Sequence, residues 1–434
     1  MRKKADKQTI GVLGLWHLGL VYSASLAKLG FTVTGFDFDN KTIDNLNKSR
    51  SSIYEPGLKE VIRKYLNLNL FFSHKPQEAI KNKDYVFICL DVPVDNNDQI
   101  NLSPFFKIIN LLFKHCSPKT TIILSSQVPV GTSRSLLLKL KSRHPGVNLI
   151  YFPENLRLGK GIETFLHPDR IVLGSSNNKI CRKFIKTFSY FDCPILTMSL
   201  ESAEMVKHAL NSFLALNISF SSEIGDLCEM VGANLNDVIA ALKTDKRVSC
   251  YAPINPGLGF SGGTLGRDLQ SLTKISHKNN YNPFLLKAVY KVNQRRLDIL
   301  LKKIEKIFPS LQRKNIGILG LTYKPETSTL RRSLSLNLAE LLYERKTNIK
   351  AFDPSVKKKI KTYPYIDIAR SINDFFMDLD IFILMTDWPD FKKINPYKIL
   401  PFMKKGVIFD TKNFLDQRKY TACGFTYYGI GYHV

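Results

Sequence analysis

Short apolar runs alternate with helical periods through the first half of the chain. The runs TIGVLGL, FTVTGFDFD, DYVFICLDVP and TTIILSSQVP have the length and β-branched content of buried strands. Between the first two, apolar positions recur at helical spacing from Leu18 to Leu29, and Gly30 follows as a C-cap. Alternation of this kind predicts a parallel sheet with helices on both faces, which is a doubly wound α/β domain.

The pattern changes between about Glu201 and Lys243, where helical spacing continues over many turns. We expect one long helix there, which forms the spine of a helical domain and supports a dimer. NIGILGLTYKPET then opens a second α/β unit that continues through LSLNLAELLYE, IKAFDP, DIFILMTDWP and GVIFD, and both units begin with G-x-L-G-L, at Gly11 and at Gly317. The predicted fold class is α/β, with two Rossmann-like doubly wound domains joined by a central all-helical domain and boundaries at 1–200, 201–305 and 306–434.

Composition narrows the class of protein. The 434 residues are 44% apolar and 23% charged, as in ordinary globular proteins, and no run of 18 apolar residues suggests a membrane span. The net charge of +26 is spread along the chain, so we expect a solvated basic surface and no nucleic-acid function. The seven cysteines are odd in number and lack C-x-x-C spacing, which favours a reducing cytoplasm and predicts neither disulfides nor a metal site.

The stretch GLWHLG, residues 14–19, follows the first predicted strand and opens a helix, as a dinucleotide-binding turn does. Asp37 ends the second strand, where an acid binds ribose hydroxyls and repels a 2′-phosphate, so NAD is favoured over NADP. Trp16 replaces the second glycine of the fingerprint, and His17 is interpreted as a local helix-start residue. Either the indole points away and NAD binds, which we favour, or the turn no longer binds NAD. The cofactor-binding residues predicted here are Gly14, Trp16, Leu18, Gly19 and Asp37.

Seven motifs occur in order along the chain: YEPGL from Tyr54, VPVGTS from Val128, YFPENLRLGKGIETFLHPDRIVLG from Tyr151, ESAEMVKHALNSFLA from Glu201, GLGFSGGTLGRD from Gly257, GILGLTYKPET from Gly317 and TDWPDF from Thr386. Together they resemble the UDP-glucose/GDP-mannose dehydrogenase family. The resemblance implies a three-domain enzyme that uses NAD to oxidise the C6 alcohol of a nucleotide sugar to a carboxylate. It also implies the catalytic residues Glu154, Lys207, Asn211, Thr264 and Asp268.

Lys207 and Asn211 are four residues apart, so they share one helix face and can reach the same hydroxyl. In the family this lysine, this asparagine and the aspartate matched by Asp268 handle the alkoxide as hydride leaves. A cation stabilises the developing oxyanion. The resemblance further assigns Val92, Pro93, Gln127 and Arg331 to the cofactor, and Asn155, Leu156, Arg247, Phe260, Gly262, Gly263 and Lys324 to the substrate, with UDP favoured.

Thr264 stands where the family has its nucleophilic cysteine. A thiolate captures the aldehyde, and the thiohemiacetal loses a second hydride to become a thioester. A threonine hydroxyl is far less acidic, so the second oxidation should fail. Gln127, Leu158 and Arg267 also depart from the family pattern, as a repurposed or a decayed site would. We interpret Cys250 as a loop cysteine and not as a displaced nucleophile.

We therefore expect a cytoplasmic, homodimeric, NAD-dependent oxidoreductase that removes one hydride from a CH–OH group of a nucleotide diphosphosugar. The product would be an aldehyde or a ketone. Two alternatives stay open. One is an epimerase or other isomerising enzyme that retains NAD, and the other is a nucleotide-sugar-binding protein without turnover.

Overall fold

The computed structural model describes residues 8–91, 101–261 and 263–432, so the predicted binding residues Val92, Pro93 and Gly262 lie outside the described residues. The chain divides into two compact units, Met1–Leu210 and Asn211–Val434. The three-domain boundaries inferred from the sequence stay a prediction.

The first unit contains an eight-stranded sheet and the helices that cover it. Its strands are β1 (Thr9–Leu13), β2 (Thr32–Phe36), β3 (Leu70–Ser73), β4 (Tyr85–Ile88), β5 (Thr121–Leu124), β6 (Asn148–Tyr151), β7 (Ile171–Gly174) and β8 (Ile195–Met198). Its helices are α1 (His17–Lys28), α2 (Asn40–Leu46), α3 (Leu58–Tyr65), α4 (Pro76–Ile80), α5 (Ser103–His115), α6 (Thr132–Arg143), α7 (Gly161–Leu166) and α8 (Asn178–Thr187).

The strand order in the first sheet is β3-β2-β1-β4-β5-β6-β7-β8. The first six of these pair in parallel, and β7 pairs antiparallel to β6 but parallel to β8. Apolar side chains are buried on both faces of the sheet, in two separate cores. The order reverses between β1 and β4, which is the switch point where doubly wound sheets bind ligands.

The second unit contains helices followed by a six-stranded parallel sheet, with the order β11-β10-β9-β12-β13-β14. After α9 (Leu200–Val231), within which the two units divide, its helices are α10 (Leu235–Thr244), α11 (Leu265–Lys278), α12 (Phe284–Gln294), α13 (Arg296–Ile307), α14 (Leu334–Glu344), α15 (Ile372–Phe376), α16 (Pro396–Ile399) and α17 (Gln417–Ala422). Its strands are β9 (Asn315–Leu319), β10 (Asn348–Phe352), β11 (Ile366–Ile368), β12 (Ile381–Leu384), β13 (Val407–Asp410) and β14 (Thr426–Tyr428), and two 3₁₀ turns span Pro389–Lys393 and Leu400–Phe402. The predicted α/β class with two Rossmann-like sheets and a helical region is confirmed.

The predicted continuous helix from Glu201 to Lys243 is wrong beyond Val231. Gly232 has a φ of +73°, the left-handed conformation that ends helices, and α10 begins three residues later. The side chain of Asn234 accepts a hydrogen bond from the Asn236 amide and so caps α10. Among the described residues, no helix has the length and hydropathy to cross a membrane.

We predict that Gly11→Ala destabilises the first unit severely. A Cβ at Gly11, on β1, would lie 1.7 Å from the carbonyl oxygen of Ala79, and backbone cannot yield as a flexible side chain does. The expected loss is about 3 kcal/mol or more of unfolding free energy, measured by urea denaturation. Gly30→Ala is the control, because Gly30 has a φ of +98° and its added Cβ would have no atom of the described residues within 4 Å. Its loss should stay at about 1–2 kcal/mol, and equal losses in the two variants would contradict the packing argument.

Candidate active site

Several predicted site residues lie just beyond the carboxyl ends of neighbouring parallel strands in the first sheet. Gly14 follows β1, Asp37 follows β2, Gln127 comes after β5 and Glu154 after β6. Because parallel strands end at one edge, the sheet brings these residues to the same edge, where such folds bind ligands. Gln127 is buried there, while Asp37 and Glu154 are partly exposed.

The turn after β1 has the geometry of a dinucleotide-binding turn. Gly14 has a φ of +92°, and its amide donates to the carbonyl of Phe36 at 2.9 Å. The next amide, of Leu15, donates to Asp37 Oδ2 at 2.7 Å. A Cβ at Gly19 would lie 1.7 Å from the carbonyl oxygen of Gly14, so only glycine allows this approach of helix and turn.

Trp16 does not obstruct this turn through its backbone. Its φ is −76°, which any residue adopts, and its side chain is 51% exposed. Among the residues that the structure describes, no side chain caps the start of α1, and its first turn contains no acid, so the amides at this helix end remain suited to a phosphate. Leu18, in that first turn, is partly exposed. The residues present therefore fit a dinucleotide.

The second sheet repeats the turn at Gly320. Gly320 has a φ of +93°, its amide donates to the carbonyl of Phe352 at 2.8 Å, and the Leu321 amide donates to Asp353 Oδ2 at 2.7 Å. The shared G-x-L-G-L sequence thus folds in the same way in both units.

The two aspartates of these turns differ in their surroundings. Asp353 is fully buried, and its carboxylate also accepts from the amide and hydroxyl of Thr322, the amide and hydroxyl of Ser355 and the indole N–H of Trp388. Asp37 is partly exposed and accepts, besides Leu15, the amide of Asp39 at 3.0 Å. The first turn therefore leaves its carboxylate partly accessible to solvent, while the second uses its carboxylate within the protein.

His17 and Glu55 form a buried pair that sequence reasoning missed. His17 Nε2 lies 2.7 Å from Glu55 Oε2, and Glu55 also accepts from the amides of Gly161 at 2.6 Å and Gly159 at 3.1 Å. Burial raises the pKa of Glu55, but the hydrogen bonds from His17 and the two glycine amides outweigh it and hold the pKa below its usual range. A contact across 38 residues leaves no periodic signal, so spacing could not have revealed it.

Helix α9 anchors the VPVGTS segment, a second feature that the sequence did not indicate. Glu204 accepts from the amides of Gly131 at 2.6 Å and Ser133 at 2.8 Å, and so caps α6. Burial raises the pKa of Glu204 despite these bonds. One turn further, His208 Nε2 lies 2.9 Å from the carbonyl oxygen of Val128. Two side chains of α9 therefore hold the backbone next to Gln127 in place.

Lys207 and Glu154, both predicted to be catalytic, meet in the first unit. Lys207 Nζ lies 3.3 Å from Glu154 Oε2, and the lysine side chain is only 8% exposed. A buried ammonium is costly unless it is paired, and Glu154 supplies the pairing. The predicted substrate residues Asn155 and Leu156 follow Glu154 directly and are partly exposed.

In the second unit, Asn211 and Asp268 are hydrogen-bonded, the amide of Asn211 donating to Asp268 Oδ2. Asp268 is fully buried near the start of α11. The Phe260 amide donates to Asn293 Oδ1 at 2.7 Å, and Asn293 Nδ2 donates back to the Phe260 carbonyl at 3.0 Å. Asn293, which was not predicted, therefore fixes the glycine-rich loop.

The remaining predicted residues of the second unit lie in loops or at a helix start. Thr264, directly before α11, is exposed and makes no capping bond, and Gly263 before it is partly exposed. Arg247 is exposed and forms a two-point ion pair with Asp245, at 3.0 and 2.7 Å. The loop after β9 contains the partly exposed Lys324 and the exposed Arg331.

Three family models match the chain. Residues 8–192 match the NAD binding domain of the UDP-glucose/GDP-mannose dehydrogenase family, residues 201–295 its central domain, and residues 317–417 its UDP binding domain. The matches follow the order of the sheet, the helical region and the second sheet.

Individual relatives are similar over their whole length. A UDP-glucose 6-dehydrogenase of Rickettsia conorii is 33% identical, with 97% of this chain and 99% of that protein covered. The UDP-glucose 6-dehydrogenase YwqF of Bacillus subtilis is 31% identical, with 97% of each covered. The structure of a UDP-glucose dehydrogenase from the archaeon Pyrobaculum islandicum has a TM-score of 0.90 at 26% identity, with 100% of this chain and 99% of that one covered.

We predict that Glu55→Gln destabilises the first unit at neutral pH and not in acid. The folded pKa of Glu55 lies below the unfolded value of about 4.3, so its contribution is present above that value and is lost as pH falls through the folded pKa. The expected loss at pH 7 is about 1–3 kcal/mol, measured by urea unfolding from pH 7 down to pH 3.

Glu201→Gln is the matched control, because Glu201 pairs with Arg134 at the surface. This exposed pair should contribute less than about 1 kcal/mol. A loss in Glu55→Gln that persists undiminished at pH 3 would contradict the ionic contribution of Glu55.

Proposed function

Because this chain belongs to the UDP-glucose/GDP-mannose dehydrogenase family of NAD-dependent oxidoreductases, we propose that it oxidises one CH–OH group of a UDP-sugar and releases an aldehyde or a ketone. When bound, NAD supplies the acceptor for the hydride that leaves the carbon. Thr264 carries the proposal, since the resemblance matches it to the family's nucleophilic cysteine, while Lys207, Asn211 and Asp268 match the family's other catalytic residues.

The oxidation removes a hydride from the carbon and a proton from its hydroxyl, which leaves a carbonyl group. We assign the hydroxyl to Lys207 and Asn211, which lie one turn apart on α9. The Lys207 ammonium, paired with Glu154, stabilises the oxyanion, and the Asn211 amide donates a hydrogen bond to it. Asp268, which accepts from Asn211, takes the proton through an ordered water.

A second oxidation would need a nucleophile to hold the carbonyl as a tetrahedral adduct. A cysteine thiolate does this near neutral pH, because its pKa lies within reach of environmental tuning. The hydroxyl of Thr264 ionises only at far higher pH. The reaction therefore stops after one hydride.

The other predicted contacts are part of the proposal. We assign Gly14, Trp16, Leu18, Gly19, Asp37, Val92, Pro93, Gln127 and Arg331 to NAD, and Asn155, Leu156, Arg247, Phe260, Gly262, Gly263 and Lys324 to the sugar nucleotide. All seven cysteines are free, which favours the cytoplasm as the place of action.

We predict that the protein forms one NADH per UDP-sugar and that Thr264→Cys forms two. The introduced thiol restores the trap for the carbonyl, so the variant should accumulate a uronic acid. The measurement combines NADH absorbance with mass spectrometry of the products of a panel of UDP- and GDP-sugars. Cys250→Ser is the control, and its stoichiometry should stay at one because Cys250 is an exposed loop residue.

Two NADH per sugar from the unaltered protein would refute the missing-nucleophile argument. A changed sugar without net NADH would favour an isomerising enzyme that retains its cofactor. Tight binding of the sugar nucleotide without any turnover would favour a binding protein. Failure of UDP-sugars together with turnover of a GDP-sugar would correct only the base.

We further propose a homodimer that forms through α9. Phe213, Phe220 and Leu227 recur every seven residues along this helix and are 58%, 46% and 50% exposed. Met230 and Val231, at its end, are 78% and 76% exposed. Large apolar side chains in one stripe favour burial against a second copy of the same stripe.

We predict that Phe213→Glu combined with Phe220→Glu dissociates this dimer. Burying two carboxylates in an apolar contact should raise the dimer dissociation constant at least about 100-fold, measured by sedimentation equilibrium. Tyr397→Glu is the control, because Tyr397 is 63% exposed on α16 and lies outside the stripe. A double variant that remains as dimeric as the control would place the interface elsewhere.

A further inference from the structure

We propose that His17 is a positioning residue that couples the cofactor turn to the segment from Asn155 to Gly161. The cofactor end of this coupling is the NAD-binding turn at the start of α1. Its other end rests on the proposed function, which assigns Asn155 and Leu156 to the sugar nucleotide. Through His17, binding of NAD orders the backbone that receives the substrate.

His17 is the first residue of α1 and directly follows Trp16 in the turn. Its side chain is 8% exposed, and Nε2 lies 2.7 Å from Glu55 Oε2, whose side chain is fully buried. A buried carboxylate needs several hydrogen bonds to remain charged, and His17 is its side-chain donor within the described residues. The start of α1 is therefore tied to Glu55.

Glu55 in turn holds the far end of the 155–161 segment. Oε1 accepts from the Gly161 amide at 2.6 Å, and Oε2 accepts from the Gly159 amide at 3.1 Å. Gly159 has a φ of +85°, a conformation that this pair of bonds fixes. One carboxylate thus connects the helix that receives the phosphates with the loop that follows Glu154.

Packing makes this connection stiff. A Cβ at Gly161 would lie 3.1 Å from Val21 Cγ2 on α1 and 3.3 Å from Glu55 Cδ, so α7 begins in direct contact with α1. Close-packed contacts transmit small shifts because no void absorbs them. A displacement at the start of α1 therefore reaches Gly161 through both the hydrogen bonds and the packing.

An anion bound to the amides at the start of α1 restricts the movement of this helix end. His17 is the first residue of α1, so its side chain is then held more firmly against Glu55. Glu55 then holds the two glycine amides in a narrower range of positions. By linkage, a ligand that orders the 155–161 segment must tighten NAD binding by the same factor.

Hydrogen exchange on the full-length protein tests the coupling without any sugar nucleotide. In the unaltered protein, saturating NAD should slow exchange in peptides that cover 155–166 by about tenfold. In His17→Met, which keeps the volume but has no N–H donor, NAD should slow it less than about twofold. His17→Gln, which keeps a donor, should recover most of the protection.

Asn69→Ala is the control that distinguishes loss of the coupling from a general loosening of α1. Asn69 Nδ2 donates to the carbonyls of Ala27 and Phe31 at 2.8 and 2.9 Å, at the opposite end of α1. This variant should lose thermal stability as His17→Met does but keep the full NAD response in 155–166. Loss of the response in Asn69→Ala as well would show a merely structural effect and overturn the proposal.

Calorimetry gives the second readout. The dissociation constant of NAD should fall about tenfold in saturating UDP-glucose in the unaltered protein and less than about twofold in His17→Met. No NAD-dependent protection in the unaltered protein, or full protection in His17→Met, would overturn the coupling. Protection by NAD that depends on His17, together with no binding of UDP-glucose or any other nucleotide sugar, would uphold the coupling and refute the substrate in the proposed function.

Discussion

Buried carboxylates that accept hydrogen bonds from backbone amides hold the loops at the carboxyl edges of both sheets. Glu55 binds the amides at the start of α7, and Glu204 those at the start of α6. Asp353 and Asp410 do the same for the turns after β9 and β13. Each hydrogen bond gives a partner to a backbone amide that would otherwise lack one. The amides in turn lower the free-energy cost of burying the negative charge. Asp37 is the partly exposed member of this group, and this difference agrees with the proposal that its turn serves a ligand.

The sequence predicts the architecture because periodicity and glycine turns are local signals. The strands around Gly14 and Gly320 and the helix LSLNLAELLYE follow from apolar spacing, and each lies where the pattern puts it. The four-residue strands β3 and β6 were not predicted, although the equally short β4 and β5 were. The helix break at Gly232 was not predicted, because the apolar spacing continues across it. A single positive φ is enough to end α9 there.

For the site, the residues proposed to touch reacting groups are indicated by motif, and those that hold the surrounding backbone are not. The resemblance to the family indicates Lys207 and Asn211, and their spacing of four places them on one helix face. Glu204, Asn293 and Glu55 act on backbone atoms between 33 and 106 residues away, and no sequence period encodes such a pairing. Their roles follow only from three-dimensional proximity. Sequence motifs therefore indicate the chemistry of the site well, but they do not indicate the residues that hold its backbone in place.

Trp16 and His17, which are adjacent in the cofactor turn, point their side chains in opposite directions. Trp16 extends its side chain to solvent while the adjacent His17 turns inward to Glu55, and the two rings meet edge-on with centroids 6.2 Å apart. The two side chains can point in different directions because consecutive residues of a helix are rotated by about 100° around its axis. The outward indole leaves the amides at the helix start uncovered, and the inward imidazole connects this helix start through Glu55 to the 155–161 segment. The tryptophan that replaces the second glycine of the fingerprint therefore lies beside the residue that gives this turn its additional connection.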